Sequence, residues 1–418
     1  MTHHPMNTSM LASTVRYLSA VSLLTSSALA RTHTLDQRSS SAALGEEFTS
    51  FLVRATAEPD SSSRQRMVDE FAGRVQRYGR AIIEDTTVTF LYVGDGGRVH
   101  VPSDLNGWNA SADSMLALPG TNLFYLRKDV PAAARFEYKF VVDSSWILDP
   151  FNKQQAMGGF GANSEVWMPH YTPPQEIVRR EGVAHGTIDT LFVASALLGR
   201  THPVFVYLPP GYNGTRATFP SVVVTDGGEY LTLALMHNVL DNLIADRRME
   251  PVVGVFVDPR TDVTDSRTSM RMQDYAMNDT FVAFLAEEVL PFIRKTYHVA
   301  DEAGKTAVMG ASLGGLIATY AALRRPDVFG LCAAQSPSYW WKDDAIIALA
   351  DTLPVRDIVF SIDTGTIRDA AESARRMKAV LERKGYRFSY AEHPEGHNWV
   401  NWRARIPAIL TTFWGIRK

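Results

Sequence analysis

The chain has 418 residues, a length that predicts two or three domains at roughly 100 to 200 residues per domain. Lys and Arg number 42 against 45 for Asp and Glu, so the formal net charge is -3 and no basic field exists to attract nucleic acid. Hydrophobic residues at 45% and charged residues at 21% argue against a disordered chain and a polytopic membrane protein. The single cysteine, Cys332, excludes an internal disulfide and a cysteine-based zinc site.

The first 30 residues have the pattern of a secretory signal peptide. Arg16 precedes an apolar stretch, residues 18–30, that ends in Ala28-Leu29-Ala30, the small-residue pattern of a signal peptidase site. The stretch is shorter than the roughly 20 residues of a membrane-spanning helix. Cleavage predicts a mature chain that begins near Arg31 and is periplasmic or secreted. The alternative, a start without a targeting function, predicts a cytoplasmic protein.

Hydrophobic periodicity divides the next part of the chain into three regions. Residues 31–83 are polar, with apolar residues at helical spacing that predict an extension of short helices. Residues 84–170 contain short runs of alternating apolar and polar residues between turn residues, which predict a small antiparallel β-sandwich. Residues 171–189, which include Pro173 and Pro174, predict a linker.

Residues 190–418 alternate compact apolar runs with helical stretches. This alternation predicts an α/β fold, a mostly parallel sheet with helices on both faces. Ligands bind such sheets at the carboxyl ends of the strands. The six runs that predict strands are residues 204–208, 221–225, 252–257, 306–309, 358–362 and 387–391.

The segment around Ser312 has the pattern of a nucleophile elbow. A predicted strand, a tight turn with Ser312 at its apex and a predicted helix follow one another. Gly310 and Gly314 flank the serine, because a side chain at either position would collide with the neighbouring elements. The alternative is a structural glycine-rich turn, and the strand before and helix after the serine favour the nucleophile.

A nucleophilic serine needs a base and an acid, which follow it in this fold in the order acid, then histidine. Among the two histidines after Ser312, His397 lies in a loop past a predicted strand, whereas His393 is still beside the strand, so His397 is the predicted base. Asp363 and Asp369 both qualify as the acid. Each also has a structural interpretation, as a turn residue and as a helix N-cap, and spacing does not separate them.

The oxyanion hole needs two backbone N–H groups directed at the developing negative charge. Leu313, directly after the predicted nucleophile, is expected to supply one. Gly227 or Gly228, in the turn after the strand at residues 221–225, is expected to supply the other. The alternative is an ordinary glycine-rich loop.

Motifs along residues 190–415 are specific enough to suggest a family. They are Val206-Tyr207-Leu208-Pro209-Pro210-Gly211-Tyr212, Thr225-Asp226-Gly227, Asp241-Asn242-Leu243-Ile244, the segment 271–275, the Ser312 elbow and Gly396-His397-Asn398-Trp399. Together they resemble the esterase family of α/β-hydrolases that includes enterochelin, feruloyl and acetylxylan esterases, esterase D and the mycolyltransferases. The resemblance implies an α/β-hydrolase fold and ester chemistry.

The β-rich region carries a second resemblance. Asn106-Gly107-Trp108, the run at residues 136–143 and Asp149-Pro150-Phe151-Asn152 are similar to the sandwich that precedes the hydrolase domain in enterochelin esterases and to glycogen-binding modules. The likeness implies an immunoglobulin-like β-sandwich that acts as a carbohydrate-binding module with a glycan as its ligand. Whether Trp108 and Trp146 bind glycan or fill the core of the sandwich stays open.

The family resemblance also implies roles for single residues. In the enterochelin-esterase branch the acid follows a glycine-containing stretch, here residues 365–369, which favours Asp369. Arg271 matches a family position that faces the pocket and would hold a substrate oxygen, with an ion pair to Asp274 or Asp279 as the alternative.

Aromatic residues are expected around the acyl group. Trp340 and Trp341 would form the wall of an aromatic acyl or catechol pocket by stacking, and Trp399 is a further expected substrate-binding residue. Glu395 departs from the family pattern, because many members have glycine there.

These features predict a serine carboxylic ester hydrolase that uses no metal, nucleotide or flavin. The domain order favours a catecholate siderophore ester as the small-molecule substrate. Export with a carbohydrate-binding sandwich would instead favour a feruloyl or acetyl ester on a plant polysaccharide. An acyltransferase and a non-catalytic carbohydrate-binding protein with a vestigial hydrolase domain are the further alternatives.

Overall fold

The structure is a computed structural model that describes residues 30–214 and 217–416. The predicted signal peptide, residues 1–30, lies outside the described residues apart from its last position. Within the two described ranges, no helix has both the length and the apolar character that crossing a membrane requires.

Two helices, longer than the short helices expected, form the N-terminal extension. They are α1 (Ala30–Ala57) and α2 (Ser61–Tyr78). Asp60 begins α2 as its N-cap, because its side chain accepts a hydrogen bond from the Ser63 N–H at 2.7 Å. Phe51 of α1 stacks on Phe71 of α2 with ring centroids 4.8 Å apart, and this contact holds the two helices together.

Ten short strands follow and pair in small antiparallel sheets. They are β1 (Ile82–Glu84), β2 (Thr87–Val93), β3 (Val99–His100), β4 (Leu116–Ala117), β5 (Leu123–Asp129), β6 (Arg135–Tyr138), β7 (Phe140–Val142), β8 (Ser145–Ile147), β9 (Gln155–Gly158) and β10 (Gly161–Trp167). The sheet orders are β1-β2-β5-β4, β6-β10-β9 and β3-β7-β8.

Strand β2 explains how the helical extension attaches. Val88 and Phe90 point to one face, where they join Phe136 and Tyr138 in the core between the sheets. Leu91 points to the other face and packs against the apolar residues of α1 and α2. Because alternate residues of a strand face opposite sides, the first sheet is buried on both faces and the extension covers its outer one.

The described residues of the C-terminal part form an α/β unit with eight strands and nine α-helices. Its strands are β11 (Thr187–Ser195), β12 (Arg200–Leu208), β13 (Ser221–Thr225), β14 (Val253–Val257), β15 (Thr306–Ala311), β16 (Leu331–Gln335), β17 (Val359–Gly365) and β18 (Arg387–His393). Its helices are α3 (Gly227–Thr232), α4 (Met236–Ala245), α5 (Arg271–Tyr275), α6 (Asp279–Ala283), α7 (Leu290–Thr296), α8 (Leu313–Arg324), α9 (Trp341–Thr352), α10 (Ala371–Lys384) and α11 (Trp399–Trp414). A π-helical turn, Phe284–Val289, joins α6 to α7.

The eight strands form one mixed sheet in the order β11-β12-β14-β13-β15-β16-β17-β18. The pairs β11 with β12 and β12 with β14 are antiparallel, and the other neighbouring pairs are parallel. Separate apolar cores cover its two faces. The expected α/β-hydrolase-like architecture is therefore confirmed.

Two strands were not expected from the sequence. β16, Leu331–Gln335, contains small residues with little intrinsic preference for extended backbone, and burial between β15 and β17 decides its conformation. β11 begins at Thr187, inside the predicted linker at residues 171–189. The preceding residues lie on α4, where the Asn242 side chain donates to the carbonyl oxygens of Glu176 and Val178 at 2.7 and 2.8 Å.

Candidate active site

Ser312 occupies a strained turn between β15 and α8. Its backbone has φ 59° and ψ -122°, a conformation that non-glycine residues rarely adopt. A Cβ at Gly310 would lie 2.2 Å from the Thr225 hydroxyl oxygen, and a Cβ at Gly314 would lie 2.5 Å from that same atom. Only glycine therefore fits on either side of the serine.

Three side chains from different loops form one chain of hydrogen bonds at this turn. The Ser312 Oγ lies 2.9 Å from His397 Nε2, and His397 Nδ1 lies 2.6 Å from Asp369 Oδ1. Trp402 packs edge-on against the imidazole with centroids 5.0 Å apart. The His397 side chain is 40% exposed and that of Asp369 is fully buried, so the imidazole faces solvent while its acidic partner does not.

The Asp369 carboxylate is held in one orientation by surrounding donors. Its Oδ2 accepts from the Gly365 N–H at 2.6 Å and from the Ser336 hydroxyl at 2.5 Å. Ser336 in turn accepts from the Trp402 indole N–H at 3.0 Å, so its own proton is directed at Asp369. Oδ1 is left to face His397 and the N–H of Ala370 at 2.7 Å.

The structure separates the two acid candidates that spacing left open. Asp363 is buried beside Gln335, whose amide nitrogen lies 3.4 Å from its Oδ2, and it makes no contact with His397. Burial raises the pKa of Asp363 to about 7. His393, the other histidine candidate, is not hydrogen-bonded to Ser312, and burial with nearby Arg405 lowers its pKa to about 4.

The oxyanion candidates are distinguished by their hydrogen bonds. Leu313 and Gly227 are the first residues of α8 and α3, and N–H groups in a first helical turn have no intrahelical acceptor. The strands that precede them, β15 and β13, are parallel neighbours, so both turns lie at the same sheet edge. Gly228 is not free to donate to an oxyanion, because its N–H already donates to Asp258 Oδ2 at 3.2 Å. This corrects the expectation for Gly228.

Arg271 has a different partner from those expected. Its Nε and Nη2 donate to the two carboxylate oxygens of Asp226 at 2.7 and 2.9 Å, and Nη2 also reaches the Ala311 carbonyl oxygen at 3.2 Å. Neither Asp274 nor Asp279 is its ion-pair partner. Arg271 therefore links the residue before Gly227 to the residue before Ser312, although it also lines the cavity.

A cavity of about 710 Å³ opens above Ser312 and is formed by both parts of the chain. Its lining includes Ser312 and His397 from the α/β unit and Asp104 from the β-rich region. Aromatic side chains make up much of the remaining wall. They are Trp108, Trp146, Phe160, Trp399 and Trp402.

Trp340 and Trp341 are not among the residues that line this cavity, which corrects the expectation for both. Trp341 begins α9 and packs against the core on one face of the sheet, while the Trp340 side chain is 56% exposed. Trp399 does line the cavity, as expected, and stacks edge-on with Tyr230 at 5.2 Å. Trp108 and Trp146 face the cavity and do not fill the sandwich core.

Sequence reasoning identified Arg271 but missed other charged residues of the cavity, among them Glu229 and Arg260. Glu229 and Arg260 line it 3.3 Å apart, and one carboxylate oxygen of Glu229 is buried without a hydrogen-bond partner. Burial, with the nearby charge of Asp226, raises the pKa of Glu229 to about 7. Glu229 lies two residues after Gly227, and its closeness to this predicted oxyanion residue is the signal in the sequence that could have identified it.

Residues 30–214 and 217–416 contain no group of three or more His, Cys, Asp and Glu side chains arranged to hold a metal ion. The buried Cys332 lies 3.8 Å from the Thr319 hydroxyl oxygen.

Comparisons with known proteins agree with this geometry. The sequence model of the family described as "Putative esterase" matches residues 195–413, which is more than half of the chain. The iron(III) enterobactin esterase of Escherichia coli is 27% identical over 266 residues, 56% of this chain and 62% of that protein, so less than two thirds of the relative's length is matched. An endo-1,4-beta-xylanase/feruloyl esterase of Xylanibacter ruminicola is 29% identical over 36% of this chain and 22% of its own length.

Solved structures give the same fold. The ferric enterobactin esterase of Salmonella typhimurium superimposes with a TM-score of 0.68 at 23% identity, over 78% of this chain and 93% of that one. This superposition covers a larger share of the chain than the 56% matched by the Escherichia coli relative. The family match, the fold and the elbow at Ser312 lead to one conclusion: the chain belongs to the esterase family of α/β-hydrolases.

Proposed function

We propose that the protein is a serine carboxylic ester hydrolase of the enterochelin-esterase type. Ser312 acts as nucleophile, His397 as general base and Asp369 as the acid that orients the imidazole. The observation that carries the proposal is the unbroken chain of hydrogen bonds from Ser312 Oγ through His397 to Asp369 at the apex of a strained strand-turn-helix.

The proposed reaction has two halves. His397 Nε2 takes the proton of Ser312 as Oγ attacks the ester carbonyl, and the imidazolium is stabilised by the Asp369 carboxylate. The N–H groups of Leu313 and Gly227 hold the tetrahedral oxyanion, each contributing about 3 kcal/mol to lowering the barrier. His397 then protonates the leaving alcohol, and water, activated by the same imidazole, releases the acid from Ser312.

A catecholate siderophore ester is the substrate class we favour. The cavity of about 710 Å³ is large enough for a ligand with several rings, and five aromatic side chains from both parts of the chain line it. Aromatic walls favour aryl acyl groups through stacking. The relatives named as enterobactin esterases support the same class.

Direct comparison of esters tests this proposal. Purified protein is expected to hydrolyse a catecholate triester of serine, with and without iron, with a kcat/KM at least about tenfold above that for methyl ferulate or an aryl acetate. Release of the free acids is measured by chromatography. Preference for methyl ferulate or acetylated xylan would transfer the assignment to a feruloyl or acetylxylan esterase, and no cleavage of any ester would contradict the esterase proposal.

Transfer of the acyl group to a sugar or alcohol is the second candidate reaction, because the cavity is open to solvent and the same acyl-enzyme would serve it. Added acceptor in the same assay would then give a transferred ester in place of the free acid.

The glycan ligand suggested for the β-rich region stays a prediction. Trp108 and Trp146 line the cavity at Ser312, which supports the ester substrate as their ligand.

We also propose that the protein is exported to the periplasm or secreted. The support is the sequence pattern of residues 1–30 alone. Expression of the full chain in an exporting bacterium is expected to yield a mature protein beginning near Arg31, measured by the mass of the intact protein from the periplasmic fraction. A protein that keeps its first residues and stays in the cytoplasm would overturn the proposal.

A further inference from the structure

The β-rich region contacts both of the loops that carry His397 and Asp369. The Arg135 N–H, at the start of β6, donates to the Pro394 carbonyl oxygen at 3.1 Å, three residues before His397. The Arg368 side chain, adjacent to Asp369, donates to the Leu105 carbonyl oxygen at 3.0 Å. The loops that bear the histidine and its acid therefore rest directly on the other part of the chain.

A fully buried arginine is the centre of this contact. The Arg135 guanidinium donates to Glu165 Oε2 from Nε at 2.9 Å and to Glu137 Oε1 from Nη1 at 2.8 Å, both within the β-rich region. Its Nη1 also donates to Asn398 Oδ1 at 2.9 Å, across to the α/β unit. Burial of one cation with two carboxylates is tolerated because each has a partner.

Asn398, the residue after His397, is clamped between opposite charges. Its Oδ1 accepts from Arg135 and from the Asn401 N–H at 3.1 Å, which makes it the N-cap of α11. Its Nδ2 donates to Asp104 Oδ2 at 3.0 Å. The amide oxygen faces a cation and the amide nitrogen faces a carboxylate, so only one orientation of the side chain satisfies all three partners.

The packing at Asp104 leaves little room for the His397 loop to move. A Cβ added to Gly396 would lie 2.5 Å from the Asp104 carboxyl carbon. Asp104 also accepts from the Glu137 N–H at 2.8 Å and from the Trp108 indole N–H at 3.0 Å, so its carboxylate is itself fixed. The residues on both sides of His397, Gly396 and Asn398, therefore pack against the β-rich region.

We propose that Asn398 is a positioning residue, through which Arg135 and Asp104 of the β-rich region align the His397 imidazole with Ser312. The inference rests on the proposed esterase function. Hydrogen-bond geometry at a general base is sensitive, since a misplacement of about 1 Å can lower a rate by about 10²-fold. The β-rich region then contributes to the chemistry without touching the reacting atoms.

The substitution Asn398→Asp tests the proposal, because it keeps the oxygen that faces Arg135 and caps α11 but turns the donor toward Asp104 into a second carboxylate oxygen. Burial and the charge of Glu137 raise the pKa of Asp104 to about 6, while Arg135 opposes them. At high pH both carboxylates are ionised and repel each other, and this repulsion raises the pKa of Asp104 in the variant above its value in the parent. We expect kcat to fall by about 10- to 100-fold and KM to change by less than about threefold.

The pH dependence separates positioning from a structural defect. Asp104, whose pKa is about 6 in the parent and is raised further by the second carboxylate, gains a proton as the pH falls from 8 to 6, and a protonated carboxyl can donate to its neighbour. The ratio of variant kcat to parent kcat is therefore expected to rise as the pH is lowered from 8 to 6. Taking the ratio cancels the pH dependence that the variant and the parent share. A ratio that stays near one, or a loss confined to KM, would overturn the proposal.

Two further variants guard against misfolding as an explanation. Asp149→Asn changes another buried carboxylate of the β-rich region, one that accepts from the Tyr138 hydroxyl at 2.6 Å and has no contact with the α/β unit. We expect its kcat to stay within about twofold of the parent at every pH. Asn398→Ser keeps a helix cap but no charge, so its loss of kcat should not recover at low pH. A parent without esterase activity would contradict the proposed function instead.

Discussion

Replacement of Ser312 by alanine is expected to lower kcat by at least about 10⁴-fold for every ester that the protein cleaves. The reason is that the Ser312 Oγ lies at the apex of the elbow and 2.9 Å from His397 Nε2. Initial rates of ester hydrolysis measure the loss. Covalent capture by a fluorophosphonate, followed by peptide mass spectrometry, is expected to label Ser312 in the parent and nothing in the variant.

Ser338 offers a matched control, because its hydroxyl oxygen lies only 3.4 Å from that of Ser312. Ser338→Ala removes a hydroxyl of the same kind without a bond to His397, and we expect kcat within about fivefold of the parent. If Ser338→Ala abolished hydrolysis while Ser312→Ala retained it, the nucleophile would be assigned to Ser338. Labelling at Ser338 in the parent would lead to the same reassignment.

Replacement of Asp369 by asparagine is expected to lower kcat by about 10³- to 10⁴-fold with little change in KM. Oδ2 accepts from two donors, Gly365 and Ser336, whereas Oδ1 accepts from one backbone donor, Ala370, so the amide nitrogen of asparagine is favoured at the position of Oδ1. There it donates to His397 Nδ1 and leaves the proton on Nε2, where the base must accept one from Ser312. Steady-state kinetics between pH 6 and 9 measure this loss.

Asp363→Asn is the matched control for that experiment. Asp363 is buried and its pKa is raised to about 7, so asparagine imitates the neutral form that prevails in the folded protein below about pH 7. We expect kcat within about threefold of the parent. A comparable loss in both variants would contradict the assignment of Asp369 as the acid.

The Asp363→Asn variant is also expected to differ from the parent in how its thermal stability depends on pH. A carboxyl whose folded-state pKa is raised stabilises the fold at low pH, and this contribution is lost as the pH rises through the folded-state pKa. The parent is therefore expected to lose thermal stability relative to Asp363→Asn as the pH rises from about 4 to about 7, and the difference is expected to stay constant above that. Thermal unfolding of the two proteins across that range measures the difference.

Local sequence was sufficient for features that depend on neighbouring residues. The elbow could be predicted because a serine flanked by Gly310 and Gly314 between a strand and a helix is a pattern of a few neighbouring residues. The contact that excludes a Cβ at both glycines comes from Thr225 of the neighbouring strand, which the pattern does not show. The order of serine, acid and histidine restricted the base to two histidines. The family resemblance, which rests on short motifs, was confirmed by the family match over residues 195–413.

Features that depend on distant partners could not be read from spacing. Asp363 and Asp369 are six residues apart at the same end of β17, and only the path of the loop brings one of them to His397. The alternative ion pair of Arg271 was expected with Asp274 or Asp279, close to it in sequence, yet Asp226 reaches it from 45 positions away. The propensity of β16 for a strand is low, and its place between two strands overrides that preference.

The division between the two kinds of information has a physical basis. Composition, periodicity and the glycines around Ser312 determine which elements form and where a nucleophile sits, because those constraints act within a few residues. Packing between regions far apart in the chain decides which residues line the cavity around the nucleophile. Trp108 from the β-rich region lines the cavity while Trp340, much closer in sequence to Ser312, does not. The Arg135–Asn398 contact, which spans 263 positions, exists only once both regions have folded against each other.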